Sequence, residues 1–122
     1  MSGTQRIGGP VEIQAGGIRL KVKPGATYNL GHPKREGVLG AKDAHGYKEA
    51  PQMAFVEAEV TDHRTLDVKA LTTMEDATVT VTAPNGKTIL FHNAYYAGEG
   101  TVSTDEGSLT IRFESTRPAE EI

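Results

Sequence analysis

The stretch "TAPNGKTIL", Thr82 to Leu90, decides how the chain is read. Its Gly86-Lys87-Thr88 matches the tail of a phosphate-binding loop, in which bare backbone N–H groups wrap an anion. Such a loop also needs a glycine five residues before its last one, and Val81 stands there. Asn85-Gly86 is flanked instead by β-branched and apolar residues, and Asn-Gly accepts positive φ at both centres of a type I′ hairpin turn. The stretch predicts a hairpin, with "ATVTVTAP" entering it and "KTILFHNAYYA" leaving it, and nucleotide hydrolysis is set aside.

Outward from this hairpin the pattern stays mostly at period two. "VEIQA", a Gly16-Gly17 turn and "IRLKVK" predict a first hairpin, with Val11, Ile13 and Ala15 on one face, then Ile18, Leu20 and Val22. "MAFVEAEV" sets Ala54, Val56, Ala58 and Val60 against Met53, Phe55, Glu57 and Glu59, so its second face turns acidic along the strand. "SLTIRFE" aligns Leu109, Ile111 and Phe113. About six strands result. One segment breaks the period: "DHRTLDVKALTTM" repeats Leu66, Ala70, Leu71 and Met74 at helical spacing and predicts one helix of two to three turns, capped by Thr65 or Asp62.

At 122 residues the chain is expected to be one domain. Residues 1–9 and 117–122 read as tails. Residues 24–51, with three prolines and five glycines, read as a long irregular interaction loop. A net charge of -3 with 24% charged residues argues against both a disordered polyelectrolyte and a basic nucleic-acid binder. The charge is polarised: residues 1–61 hold 8 basic and 6 acidic groups, residues 62–122 hold 5 and 10, which suits head-to-tail contacts. Without cysteine there is no disulfide or thiolate chemistry, and no signal peptide or membrane-spanning run is evident.

Catalytic machinery is not expected. His32, His45, His63 and His92 include no i, i+4 pair for a helical metal site. Asp62-His63 has no Gly-x-Ser-x-Gly elbow to present a nucleophile, and Asp105-Glu106-Gly107 lacks the alternating oxygen ligands of a calcium loop, so it reads as a turn. No metal and no cofactor are expected. Phe91, Tyr95, Tyr96 and Phe113 have few basic neighbours and read as core rather than as a base-stacking platform, although Tyr95 and Tyr96 must point to opposite faces. A β-sandwich binding module remains as a rival reading, with His92, Asn93, Tyr95 and Tyr96 as its polar and aromatic patch.

"KREGVLGAKDAHGYKEAPQMAFVEAEVTD" (34–62) and "TLDVKALTTMEDATVTVTAPNGKTILFHNAYYAGEGTVSTDEGSLTIRFES" (65–115) together resemble the tail tube proteins of Mu-like contractile-tailed phages, a group related to pyocin and type VI secretion tubes. The resemblance rests on the order of Lys-Arg-Glu-Gly, Gly46-Tyr47-Lys48-Glu49, the short helix, the Asn-Gly hairpin, Asn93 to Gly98 and Asp105-Glu106-Gly107. It implies a mainly β fold, a β-sandwich or barrel with one short flanking α-helix. It also implies a structural virion protein, assembled in the host cytoplasm, whose hexameric rings stack into the inner tube of the tail and let phage DNA pass without sequence-specific binding. Further copies of itself, tail sheath, baseplate or tail-tip and tape-measure proteins would be its partners. On this reading Glu57 and Glu59 are candidates to face the lumen. Lys34, Arg35, Glu36, Lys42, Asp43, Tyr47 and Lys48 are candidates for contacts between subunits or rings.

Overall fold

A computed structural model describes residues 11–122; the expected N-terminal tail, residues 1–9, lies outside the described residues. The fold is mainly β with one short helix. The six expected strands are β1 (Glu12–Ala15), β2 (Ile18–Lys21), β6 (Ala54–Thr61), β7 (Ala77–Thr82), β8 (Thr88–Tyr96) and β10 (Ser108–Ser115). Five shorter or more polar strands join them: β3 (Thr27–Asn29), β4 (Lys34–Leu39), β5 (Ala44–Ala50), β9 (Val102–Ser103) and β11 (Glu120–Glu121).

One antiparallel sheet runs in the order β2-β1-β7-β8-β10-β6-β3, with β9 added to β10 and β11 to β8. Apolar residues at alternate positions drive it to curl around one core, because each strand has a single face to bury. Ile13, Ala15 and Leu20, Val79 and Val81, Ile89 and Phe91, and Val56, Val60, Ile111 and Phe113 meet there. The curl brings the end of β2 back to β6 through a single bridge, Val22 to Val60, with the Lys23 N–H donating to the Glu59 carbonyl at 2.8 Å. One rung is not a ladder, and no closed barrel forms among the described residues.

The Asn-Gly stretch is a hairpin, but not of the expected turn type. Five residues, 83–87, separate Thr82 from its partner Thr88. The Gly86 N–H donates to the Ala83 carbonyl at 3.0 Å, and only Gly86 (φ 90) takes positive φ. Pro84 explains the difference: its ring fixes φ near −65° and so makes Pro84-Asn85 the centres of a type I turn, leaving Gly86 as the left-handed bulge residue. The Gly16-Gly17 hairpin does have positive φ at both residues. A second bulge sits inside β8, where Asn93 takes φ 53 and the β7–β8 register shifts between Ala77 and Val79. It bends β8, so that Ile89 and Leu90 pair with β11 while Ala94, Tyr95 and Tyr96 pair with β10.

The helix α1 (Val68–Thr72) is shorter than expected, and its cap is neither Thr65 nor Asp62. Asp67 caps it, its carboxylate accepting the Ala70 N–H at 3.0 Å. At the other end Thr72 and Thr73 turn their hydroxyls back onto the Val68 and Lys69 carbonyls at 2.9 and 2.7 Å, competing with the next turn of helix. Leu71 anchors α1 in the core.

Two expectations about irregular segments are corrected. Residues 117–122 are docked rather than a free tail: Ala119 is buried, its N–H donates to the Leu30 carbonyl at 2.8 Å, and β11 extends the sheet beside β8. Residues 24–51 are not irregular, because they hold β3 and the β4–β5 hairpin. Alternation failed to show this hairpin since every residue of both strands is exposed.

Candidate assembly surfaces

The hairpin β4–β5 forms its own two-stranded sheet, and it carries the candidate contact residues. On one face Glu36 faces Lys48, and its carboxylate meets the ammonium groups of Lys34 and Lys48 at 3.2 and 3.6 Å. On the other face Arg35 pairs with Glu49 at 3.3 Å and lies 5.1 Å from the centre of the Tyr47 ring, which covers the space opposite Gly37. Lys42 and Asp43 belong to the tip, where the Asp43 carbonyl accepts the Gly40 N–H at 2.8 Å. These ion pairs are exposed and contribute little stability. Leu39, 81% exposed, and Tyr47, 60% exposed, give the ribbon apolar surface that no other described residue covers.

The outer face of β6 and β10 is the second surface, and it brings Glu57 and Glu59 together with residues that sequence reading did not join to them. Cross-strand register forms rows: Thr27, Glu57 and Arg112; then Phe55, Glu114 and Tyr95. Arg112 donates from Nε to Glu114 at 2.8 Å and from Nη1 to Glu57 at 3.3 Å, and its guanidinium lies 4.1 Å from the centre of the Phe55 ring. The Tyr95 hydroxyl donates to the other Glu114 oxygen at 3.0 Å. Glu59 meets Lys23 at 3.4 Å. Hydrogen bonds from Arg112 and then Tyr95 hold the Glu114 carboxyl below its usual range, and the bond to Glu114 pushes the Tyr95 hydroxyl up. The face is thus acidic in excess but not purely acidic. Arg112 was missed because pairing between distant strands decides which groups meet, and no local motif reports it.

Beside this row lies an open pocket of about 320 Å³, bounded by Glu57, Glu99, Gly100, Thr110 and Arg112. Among the described residues no cluster of three or more His, Cys, Asp or Glu could hold a metal ion, and no helix is long and apolar enough to cross a membrane. The residues cast as a ligand patch do not gather. Tyr96 packs edge-on against Phe113 at 5.4 Å, Tyr95 binds Glu114, His92 faces Glu120 at 3.4 Å, and Asn93 accepts from Arg117 at 3.2 Å.

Among the described residues, a curled antiparallel sheet projects a ribbon exposed on both faces, which is the form of a building block. The comparisons agree. The phage tail tube protein family matches residues 4–120, and the chain belongs to that family, whose members are structural proteins of the virion tail. Two solved structures share the fold. One is the anti-feeding prophage cap, described as a tube-terminating cap: 10% identity, TM-score 0.58, covering 93% of this chain and 87% of that one. The other is the sheath/tube terminator of the extracellular contractile injection system PVC in its extended state: 11% identity, TM-score 0.59, covering 93% of each chain. No curated protein matches the chain.

Proposed function

We propose that the chain assembles into hexameric rings that stack as the inner tail tube, the conduit through which phage DNA leaves the virion. The observation that carries this reading is the β4–β5 ribbon. A two-stranded hairpin exposed on both faces is marginal alone, and a second copy that covers Leu39 and Tyr47 would complete it. Head-to-tail contact of this kind closes into a ring by rotation or extends into a filament. Glu57 and Glu59 would face the lumen, where excess negative charge keeps a polyanion from adhering. Sheath, tape-measure and baseplate proteins would be the heterologous partners.

The fold's likeness to two terminators supports a second reading, in which the chain makes one ring that ends a tube. Negative-stain electron microscopy of the concentrated protein, with light scattering on the same sample, separates the two. Hollow filaments support the tube, isolated six-fold rings support the terminator, and a monomer that stays monomeric with tail-tip components present rules out both. For the lumen assignment, E57K/E59K should leave assembly intact and block DNA passage; unchanged infectivity would count against it.

A further inference from the structure

A face that must not hold DNA gains nothing from an arginine unless that arginine is prevented from meeting phosphate. Arg112 stands on the outer face of β10, directly across from Glu57. Glu114 takes its Nε hydrogen, Glu57 takes an Nη1 hydrogen, and Phe55 lies under the guanidinium plane. Glu114 is itself held in place, since the Tyr95 hydroxyl occupies its other oxygen from the neighbouring strand. Lys23 is likewise engaged by Glu59.

We propose that Glu57 and Glu114 mask Arg112 against polyanions, so that this face repels nucleic acid although it carries cations. Two carboxylates on one guanidinium leave the local sum negative, so a phosphate approaching Arg112 is repelled by two charges while one attracts it. The arginine has a structural reason to be there: carboxylates on adjacent strands repel, and a cation between them converts that repulsion into cross-strand attraction. The biological meaning rests on the conduit reading, whereas the masking itself is a property of the single chain.

The test is fluorescence anisotropy of a labelled mixed-sequence DNA duplex with the purified full-length chain across a salt series. E57Q/E114Q is compared with D105N/E106Q, which removes the same charge from the β9–β10 turn. The unmasked variant should bind about tenfold more tightly than the control, with a log-log salt slope steeper by roughly 1 for the one freed cation. Adding R112Q should return it to the control. Equal binding by E57Q/E114Q and D105N/E106Q, or undiminished binding after R112Q, overturns the proposal. Far-ultraviolet circular dichroism checks folding; if the double variant does not fold, E57Q and E114Q are read singly against E106Q by the same criterion. Because the chain is unassembled here, masking can hold while the E57K/E59K tube experiment fails, and the reverse.

Discussion

The β3–β6 pair and the β4–β5 ribbon belong to separate sheets but share one register. Thr27 faces Glu57 and Asn29 faces Phe55; beyond a gap, Lys34 faces Ala50 and Val38 faces Gly46, in the same register. The gap sets residues 30–33 opposite 51–54, which places Pro33 across from Pro51 and His32 across from Gln52. Below the gap, β6 alternates buried and half-buried residues while β3 stays at the surface; above it, both faces of the ribbon are exposed. Identical pairing geometry thus gives a structural element in one place and, among the described residues, an arm exposed on both faces in the other. What differs is whether a second layer lies against the strands, since a lone hairpin is only marginally stable.

The sharpest way to break this comparison is to damage each part and ask what is lost. Phe113→Ala should cost about 3–5 kcal/mol, because a fully buried ring leaves a cavity the sheet cannot close, as urea denaturation would measure. Replacing Arg35–Glu49 by a two-residue Gly-Ser turn between Lys34 and Ala50 should change stability by less than about 0.5 kcal/mol, in line with exposed positions, and abolish assembly. Large destabilisation by the second change would show the arm to be part of the domain; intact filaments would show it to be irrelevant to stacking.

At the root of the arm, Gly31→Ala should cost about 1–3 kcal/mol. Gly31 takes φ 83, and a Cβ there would lie 2.8 Å from both the Ala54 Cβ and the Ala54 backbone nitrogen. The thermal midpoint should drop, and an unchanged one would mean that the joint yields without strain.

Period-two patterning made six strands legible because each buries one face and exposes the other, as the alternation of Ala54 to Thr61 shows. The arm carries charge on both faces, so "KREGVL" and "AHGYKEA" lack the signal that only a core imposes. In β8 the signal existed but was subtle: Ile89 and Phe91 are buried two apart, then Ala94 three further on, which marks the bulge at Asn93. Glu57 and Glu59 were visible as an acidic face, but the neutralising Arg112 and Lys23 come from other segments and depend on tertiary register.

That register can be probed by acid. Glu114 has its pKa lowered in the fold, so the stability it contributes is present above its unfolded pKa and disappears as pH falls through the folded one. The stability difference between the native chain and E114Q should be flat from neutral pH down to the ordinary carboxylate range and vanish below it. A difference that grows in acid would contradict the Arg112 clamp.

Another small effect concerns the joint between core and arm. Pro33 and Pro51 lack N–H groups and hold their predecessors in extended conformations, and the only side-chain link across the gap among the described residues is Gln52 Nε2 donating to the His32 carbonyl at 3.0 Å. Leu30 is already engaged elsewhere, its carbonyl taken by the Ala119 N–H. The joint therefore has few cross-strand bonds to resist bending. P33V/P51V should let the ladder run through, at a cost of under about 1 kcal/mol from the freer unfolded chain. Amide hydrogen exchange should slow at Gly31, His32, Gln52 and Met53 while β6 and β10 are unchanged. If protection at the joint does not rise, the gap is imposed by the docking of Ala119 and Gly31 rather than by the prolines, and A119G, which weakens that docking, should alter exchange there instead.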